Sequence, residues 1–429
     1  MNIAEVKRVV QEQEIEKDRI LKEGKVIARD VDPGKLNAFL KYPNILTILG
    51  IRRCGKSVLS WLLMEKKKYG YINFDDESLY GMQSSDLNTV LKAFYELYGD
   101  IDYIILDEIQ NVRGWELFAN RLRRTKKVII TGSNSQLLAG ELATHLTGRH
   151  IDFTLFPFSF KEFCIYKDIN TEEAKKYGYA TETAARMEKA LEEYLKLGGL
   201  PEAYKYGSPI LKSIFGDIIA KDIIKRYKIK NIEVMESLGK YFISNFSNEI
   251  SYNKLKNIFS IKKIGTIKNY VKYFENAYMV FVVERFSYKL KQQIIAPKKI
   301  YCVDTGMINS IAFKQNENLG KLFENIAYTE LIRRKSYLQG NWEIYYWKNA
   351  QQEEVDFILK QGTKVSRLIQ VCYNVEDEKT KEREIKALLK ASKELRCSNM
   401  LVITNEFEAS EDYKGKTIHF IPLWKWLLG

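Results

Sequence analysis

Residues 50–57 read GIRRCGKS, so Gly50 and Gly55 bracket four residues and Lys56 and Ser57 follow at once. This complete P-loop pattern commits the first part of the chain to a strand, a tight glycine-rich turn and a helix. The flanks agree. Ile45, Leu46, Ile48 and Leu49 make the apolar run of a buried strand, and Val58, Leu59, Trp61, Leu62 and Leu63 recur at helical spacing. In that setting backbone N–H groups curl around phosphate oxygens, and the helix N-terminus adds positive potential. Gly50, Arg52, Arg53, Cys54, Gly55, Lys56, Ser57 and Val58 are therefore the expected nucleotide-binding residues. Lys56 is expected to reach the β- and γ-phosphates of ATP, and Ser57 to hold Mg²⁺. Arg52 and Arg53 face either phosphate or solvent; the spacing leaves both open.

A second half of such a site follows at YIILDE, residues 103–108. The run ends a buried strand with Asp107 and Glu108, a Walker B pattern. Asp107 would hold Mg²⁺ through its water shell, and Glu108 would polarise the attacking water. YGYINFDDES (69–78) alternates like another strand and separates the two motifs in sequence. KKVIITGSNS (126–135) reads as a strand with a polar tip, where Ser133 or Asn134 would sit by the γ-phosphate. In additional-strand P-loop ATPases this strand lies between the other two. Arg149 precedes a further strand at 151–155. It is a candidate arginine finger for a neighbouring subunit, a role worth about 10³–10⁵ in rate, or else a structural ion pair.

The run GIRRCGKS, YINFDDE, YIILDEIQNVRGWE, VIITGSNS, LTGR and FPFSFKEF resembles archaeal and bacterial AAA+ ATPases related to the STAND and archaeal ATPase groups. The resemblance continues through YLKLGGLPEAY (194–204) and DIIAKDIIKRYKI (217–229) and covers nearly the whole chain. It implies a helical lid over 161–235 in which Pro201, after Gly198 and Gly199, contacts the bound nucleotide and reports its state.

Further on, Ser251 reads as the N-cap of an amphipathic helix and Thr266 as the start of a second, with a short basic turn between them. A strand over 278–287 and another over 288–294 complete a winged helix-turn-helix pattern across 236–295. Lys262, Lys263, Lys268, Asn269 and Lys272 fall on or near the second helix, where they would meet DNA phosphates.

From 296 to 429 a strand and turn, a helix over 321–334, three strands, a helix over 377–396 and two strands give an α-β-β-β-α-β order. That order looks like the restriction-endonuclease-like PD-(D/E)xK fold. Asp356 matches its first carboxylate, and Glu324 or Glu330 its helix acid. The strand that should read Glu-x-Lys reads Gln370-Val371-Cys372, which drops one charge and the lysine. A lysine migrated from elsewhere, such as Lys348 or Lys360, would be needed for cleavage.

The expected fold is therefore α/β: an N-terminal helical segment (1–40), an AAA+ core (41–160), a lid, a winged helix and a nuclease-like domain. A net charge of +13 favours a polyanionic partner, with DNA first among nucleic acids. Five scattered cysteines and three histidines suggest neither a zinc site nor a disulfide framework. No apolar run is long enough to span a bilayer and no signal-peptide pattern opens the chain, so a cytoplasmic protein without membrane partners is expected. Two rival readings remain beside the DNA-coupled ATPase. One is a STAND-like nucleotide-gated switch acting on a protein partner, the other an ATP-regulated nuclease. A finger acting across subunits would make the protein a homo-oligomer.

Overall fold

The structure is a computed structural model that describes residues 1–40, 44–135, 146, 148–178, 180–312, 318–338 and 340–429. The chain divides into two compact units, Met1–Phe156 with Asn276–Tyr278 and Pro157–Glu275 with Met279–Gly429.

The first unit is built on a parallel sheet of β1 (Ile45–Leu49), β2 (Tyr69–Asn73), β3 (Tyr103–Asp107), β4 (Lys127–Gly132) and β5 (His150–Thr154). Its spatial order is β2-β3-β4-β1-β5, so β4 lies between the P-loop strand and the Walker B strand. All five residues of β1 are buried, as expected of a parallel strand covered on both faces. The registers Leu49↔Gly132 and Leu106↔Ile130 bring the C-terminal ends of β1, β4 and β3 to one edge of the sheet. The N-terminal segment is part of this unit. Its helix, Ile3–Glu23, opens on an Asn2–Glu5 capping box. Gln13, buried on that helix, donates to Asn73 O at 3.0 Å and accepts from Asn73 N–H at 2.8 Å, tying the helix to the end of β2.

The second unit begins with helices Phe160–Tyr166, Thr171–Tyr177, Thr181–Leu197, Pro201–Tyr206 and Pro209–Asp217, the last continuing through a π-helical stretch, Ile218–Lys225. Between the third and fourth of these lies the Gly198–Pro201 step. Gly198 has φ +76°, and a Cβ there would lie 2.2 Å from Asp304 Oδ1. The Asp304 carboxylate accepts N–H bonds from Gly199 at 2.6 Å and Met307 at 3.0 Å. Backbone geometry and close approach within this unit therefore both require glycine at 198.

Next come helix Ile232–Ser244, β6 (Asn248–Ile250), helices Tyr252–Ile258 and Ile264–Asn276, β7 (Val280–Glu284), helix Leu290–Ile295 and β8 (Lys298–Cys302). The strands form an antiparallel sheet in the order β6-β8-β7. Three details differ from the sequence reading. Residues 290–295 are helical rather than a strand, because LKQQII contains good helix formers and Ser287 Oγ accepts the Lys289 N–H at 3.1 Å. Ser251 occupies an N-cap position but makes no side-chain capping bond. The second helix of the pair begins at Ile264, two residues before Thr266. In addition, β8, read as the start of the C-terminal domain, pairs with β6 and β7.

The rest of the unit has helices Thr305–Ile311 and Leu319–Tyr337, then β9 (Glu343–Lys348), β10 (Glu354–Gln361), β11 (Lys364–Val371), helix Glu378–Leu395, β12 (Met400–Thr404), β13 (Ala409–Tyr413), β14 (Lys416–Pro422) and helix Leu423–Leu428. The sheet runs β13-β14-β12-β11-β10-β9, with β9, β10 and β11 antiparallel and β11, β12 and β14 parallel. Ile385, Leu388, Ala391 and Leu395, one stripe of helix Glu378–Leu395, pack with Val355, Ile358, Leu368, Val402 and Phe420 of the sheet. The sequence reading omits β13 because it is an edge strand of polar alternation, ASEDY, which among the described residues pairs with β14 alone. No helix among the described residues is long and apolar enough to cross a membrane.

Burial in this unit has a consequence for pH. Glu275 accepts the Val282 N–H at 3.2 Å, and burial pushes its carboxyl from 4.5 up to about 7. Between those values the folded state binds the proton that the unfolded chain releases, so this group's contribution to stability falls as pH rises. Glu275→Gln keeps the acceptor and removes the titration. It is expected to stabilise the protein by about 2 kcal/mol near pH 8 and to change little near pH 5. Thermal unfolding at the two pH values checks this.

Candidate nucleotide site

The turn after β1 is shaped by its glycines. Gly50 has φ +151°, and a Cβ there would lie 2.1 Å from Leu155 O; Gly55 has φ +96°. Arg53, between them, also takes the left-handed region at φ 65°. Arg29 braces the loop, donating to Cys54 O at 3.0 Å and Phe156 O at 2.6 Å. The Cys54 side chain is buried with its Sγ 3.5 Å from Leu155 O, and burial pushes its thiol up. Cys54 thus packs the underside of the loop and contributes its backbone rather than a reactive thiolate.

Lys56 begins helix Lys56–Leu63 and is 6% exposed. Its ammonium donates to Gly50 O at 3.2 Å and Ile51 O at 3.1 Å, and lies 3.8 Å from Glu108 Oε1. Ser57 and Val58 are half-buried in the same first turn. Arg52 pairs with Asp75 at 3.2 Å, while Arg53 is exposed.

Asp107 ends β3 almost fully buried. One carboxylate oxygen accepts from the Thr131 hydroxyl, and the other from Tyr71 OH at 3.0 Å. Burial, together with the neighbouring Asp107 carboxylate, raises the Tyr71 phenol far above its ordinary range, so Tyr71 remains a donor. Glu108 is held differently. Its backbone is left-handed, at φ 51°, a costly conformation for a residue with a Cβ. Its N–H donates to Thr131 Oγ1 at 3.3 Å, and its carboxylate accepts from Ser133 Oγ at 3.3 Å and from Gln110. Of the two candidates at the tip of β4, Ser133 touches Glu108, and Asn134 is fully buried.

Thus Lys56, Asp107, Glu108 and Ser133 gather at the C-terminal ends of neighbouring strands, where open α/β sheets bind ligands. Thr131 and Arg29 belong to the arrangement and were missed. Thr131 bridges Asp107 to the Glu108 backbone, and its only sequence signal was its place at the end of β4. Arg29 lies outside every motif. The donor set, a helix-start hydroxyl and a buried carboxylate, suits a hard oxygen-loving cation such as Mg²⁺. Arg149 lies just before β5. Its backbone bonds to Ile45 and Leu146, and its exposed side chain reaches Asn120 Oδ1 at 3.5 Å.

The remaining expected residues lie in the second unit. Pro201 opens helix Pro201–Tyr206 beside the Gly198–Asp304 contact. Lys262, Lys263, Lys268, Asn269 and Lys272 are all exposed at and along helix Ile264–Asn276. Glu324, Asp356 and Gln370 come together: Lys299 Nζ bridges the two acids at 2.8 and 3.0 Å, and Gln370 Oε1 accepts the Asp356 N–H at 3.2 Å. Glu330 stays apart, paired with Arg333 and with Arg334, the latter at 2.8 Å. Cys372 is packed in the apolar core, where burial pushes its thiol up to about 12.

Comparison with known proteins finds family matches along most of the chain. Residues 42–164 match the AAA domain family. Residues 188–318 and 319–426 match two domains of unknown function, DUF8612 and DUF4143. An uncharacterised protein of Methanocaldococcus jannaschii is 36% identical over 432 residues, covering 95% of this chain and 92% of that protein. An uncharacterised protein of Haemophilus influenzae is 27% identical over 402 residues, covering 89% and 94%. Among solved structures, the Walker-type ATPase of Pyrococcus abyssi has TM-score 0.45 and 14% identity, covering 67% of this chain and 96% of that one. Cdc6p of Pyrobaculum aerophilum has TM-score 0.26 and 15% identity, covering 74% and 94%. The chain belongs to the same family as the Methanocaldococcus protein, and its first unit carries an AAA-type P-loop domain.

Proposed function

We propose that this protein binds and hydrolyses ATP with Mg²⁺ and couples its nucleotide state to DNA binding. The observation that carries the reading is the convergence of Lys56, Asp107, Glu108 and Ser133 at one edge of the parallel sheet. Lys56 exchanges its two loop carbonyls for phosphate oxygens. Ser57 and Asp107 would hold the Mg²⁺, which would supply charge neutralisation at the phosphates. Glu108, oriented by Ser133 and Gln110, accepts a proton from water or aligns it. Arg149, exposed at the start of β5, would complete the site of a neighbouring copy in a homo-oligomer. Pro201 would report nucleotide state from the helical region.

The DNA reading rests on the second unit. The order helix, β6, helix, helix, β7, helix, β8, with a β6-β8-β7 sheet, supports a winged-helix reading, with helix Leu290–Ile295 inserted between the last two strands. Four lysines are exposed on or beside its second paired helix, at 262, 263, 268 and 272. The helix, antiparallel β9-β10-β11, helix and β12 that follow support a nuclease-like reading of the last domain, which would bind rather than cut.

The test is the steady-state ATPase rate titrated with duplex DNA, single-stranded DNA and RNA. Stimulation by DNA supports the coupling. Slow turnover indifferent to nucleic acid favours a nucleotide-gated switch with a protein partner. Replacing Lys263, Lys268 and Lys272 together by alanine is expected to weaken DNA binding and flatten its salt dependence by about one unit per lost phosphate contact. Binding measured across a salt series checks this, and an unchanged slope removes the helix from the DNA surface.

A further inference from the structure

The second unit encloses a charge cluster that nucleotide chemistry does not use. Lys299, on β8, is 2% exposed. Its Nζ lies 2.8 Å from Glu324 Oε1, 2.5 Å from Glu354 Oε1 and 3.0 Å from Asp356 Oδ1. Tyr301 OH donates to the same Glu324 oxygen at 2.7 Å. The other Asp356 oxygen accepts the Val371 N–H at 3.0 Å, and Lys348 pairs with the other Glu354 oxygen at 3.3 Å. The register of β10 against β9 shifts between Val355 and Ile358, a bulge at the position of Asp356.

We propose that Lys299 is the resident cation of this cluster, an ammonium fixed where the acids of a metal-dependent nuclease hold their divalent ion. Three carboxylates from two elements converge on one point, as cation ligands do, and the chain itself fills that point. A divalent ion needs several oxygens at about 2.0–2.6 Å. The ammonium already occupies that centre, so the residues present do not fit a metal. Nor does Lys299 fit the part of a catalytic lysine migrated from its usual strand. Such a lysine must meet a scissile phosphate, yet Lys299, Asp356 and Gln370 are 2%, 6% and 4% exposed. Gln370 is engaged on both sides, accepting from Asp356 N–H and donating to Glu384 at 2.7 Å. A buried carboxylate cluster is costly without its cation, so Lys299 also serves folding. This inference rests on the geometry of the cluster and is independent of ATP hydrolysis and DNA coupling.

The experiment uses the full chain without nucleotide and Mn²⁺ as the probe. Lys299→Met is expected to lower the unfolding midpoint in EDTA. Millimolar Mn²⁺ should restore at least half of that loss, and adding Asp356→Asn should abolish the restoration. The wild-type midpoint should not respond to Mn²⁺ in a way that Asp356→Asn removes. If Lys299→Met is not recovered folded, the charge-balanced Lys299→Met/Glu324→Gln protein carries the same comparison, with a smaller but still Asp356-dependent Mn²⁺ response. Failure of both variants to gain that response overturns the proposal. So does an Asp356-dependent Mn²⁺ response in the wild type. Mn²⁺-dependent DNA cleavage that disappears in Lys299→Met would make the lysine catalytic and equally overturn it.

Discussion

Lys56→Ala is expected to weaken ATP binding by at least about a hundredfold, equivalent to about 3 kcal/mol. Lys56 is 6% exposed, and its ammonium is held by Gly50 O, Ile51 O and the nearby Glu108 carboxylate. Phosphate oxygens replace neutral carbonyls as its partners, so the charge gains on binding what it could not gain in water. Alanine also leaves Glu108 without that neighbouring cation and adds repulsion toward the triphosphate. The parallel sheet is untouched, since position 56 lies beyond the end of β1. Calorimetric titration with ATP, alongside a thermal midpoint to establish folding, checks the result. Unchanged affinity in a folded variant would remove the P-loop from the account.

Glu108→Gln should leave ATP affinity within a fewfold of wild type and lower turnover by about 10²–10⁴. The substitution keeps the shape that Ser133 and Gln110 hold in place, but the amide cannot take a proton from water. The strained φ of 51° belongs to the backbone and persists in the variant. A single-turnover measurement with Mg²⁺ separates bound from hydrolysed nucleotide. Hydrolysis at the wild-type rate would mean that another group orients the water.

The residues of the candidate nucleotide site were legible because they sit at the ends of unmistakable apolar strands. Ile45–Leu49 ends in the glycine loop, Tyr103–Leu106 in Asp107 and Glu108, and Val128–Ile130 in Thr131 to Ser133. The placement of β4 between β1 and β3 followed from the resemblance that those motifs carry. Arg29 was not legible, because a guanidinium that serves two distant carbonyls leaves no local pattern.

The second unit was read less well for a different reason. Residues 288–294 carry the alternating look of a strand, yet the local Ser287 turn and helix formers decide otherwise. The sequence offers Lys348 and Lys360 as migrated lysines. Lys360 instead pairs with Glu343, and Lys348 bridges Glu249 and Glu354. Lys299 carried a usable signal. Two adjacent lysines within a buried strand, Lys298-Lys299-Ile300-Tyr301, must send one charge to each face, so each needs a partner acid. Lys298 finds Glu284 at 2.9 Å, and Lys299 finds the cluster. The Gly198–Pro201 step shows how one motif admits two explanations. Gly198 is required by Asp304 and Gly199 by the Phe158 carbonyl, 2.3 Å from where a Cβ would lie, so packing alone accounts for both glycines, with or without a nucleotide contact from Pro201.

The central claim is that nucleotide state and DNA binding are coupled, and linkage makes that coupling reciprocal. The most direct measurement is the DNA affinity of the Glu108→Gln protein at fixed salt, compared between saturating Mg²⁺-ATP and Mg²⁺-ADP. The account predicts affinities that differ by about 5- to 150-fold between the two nucleotides. Equal affinities, in a variant shown to retain both nucleotides, would contradict it.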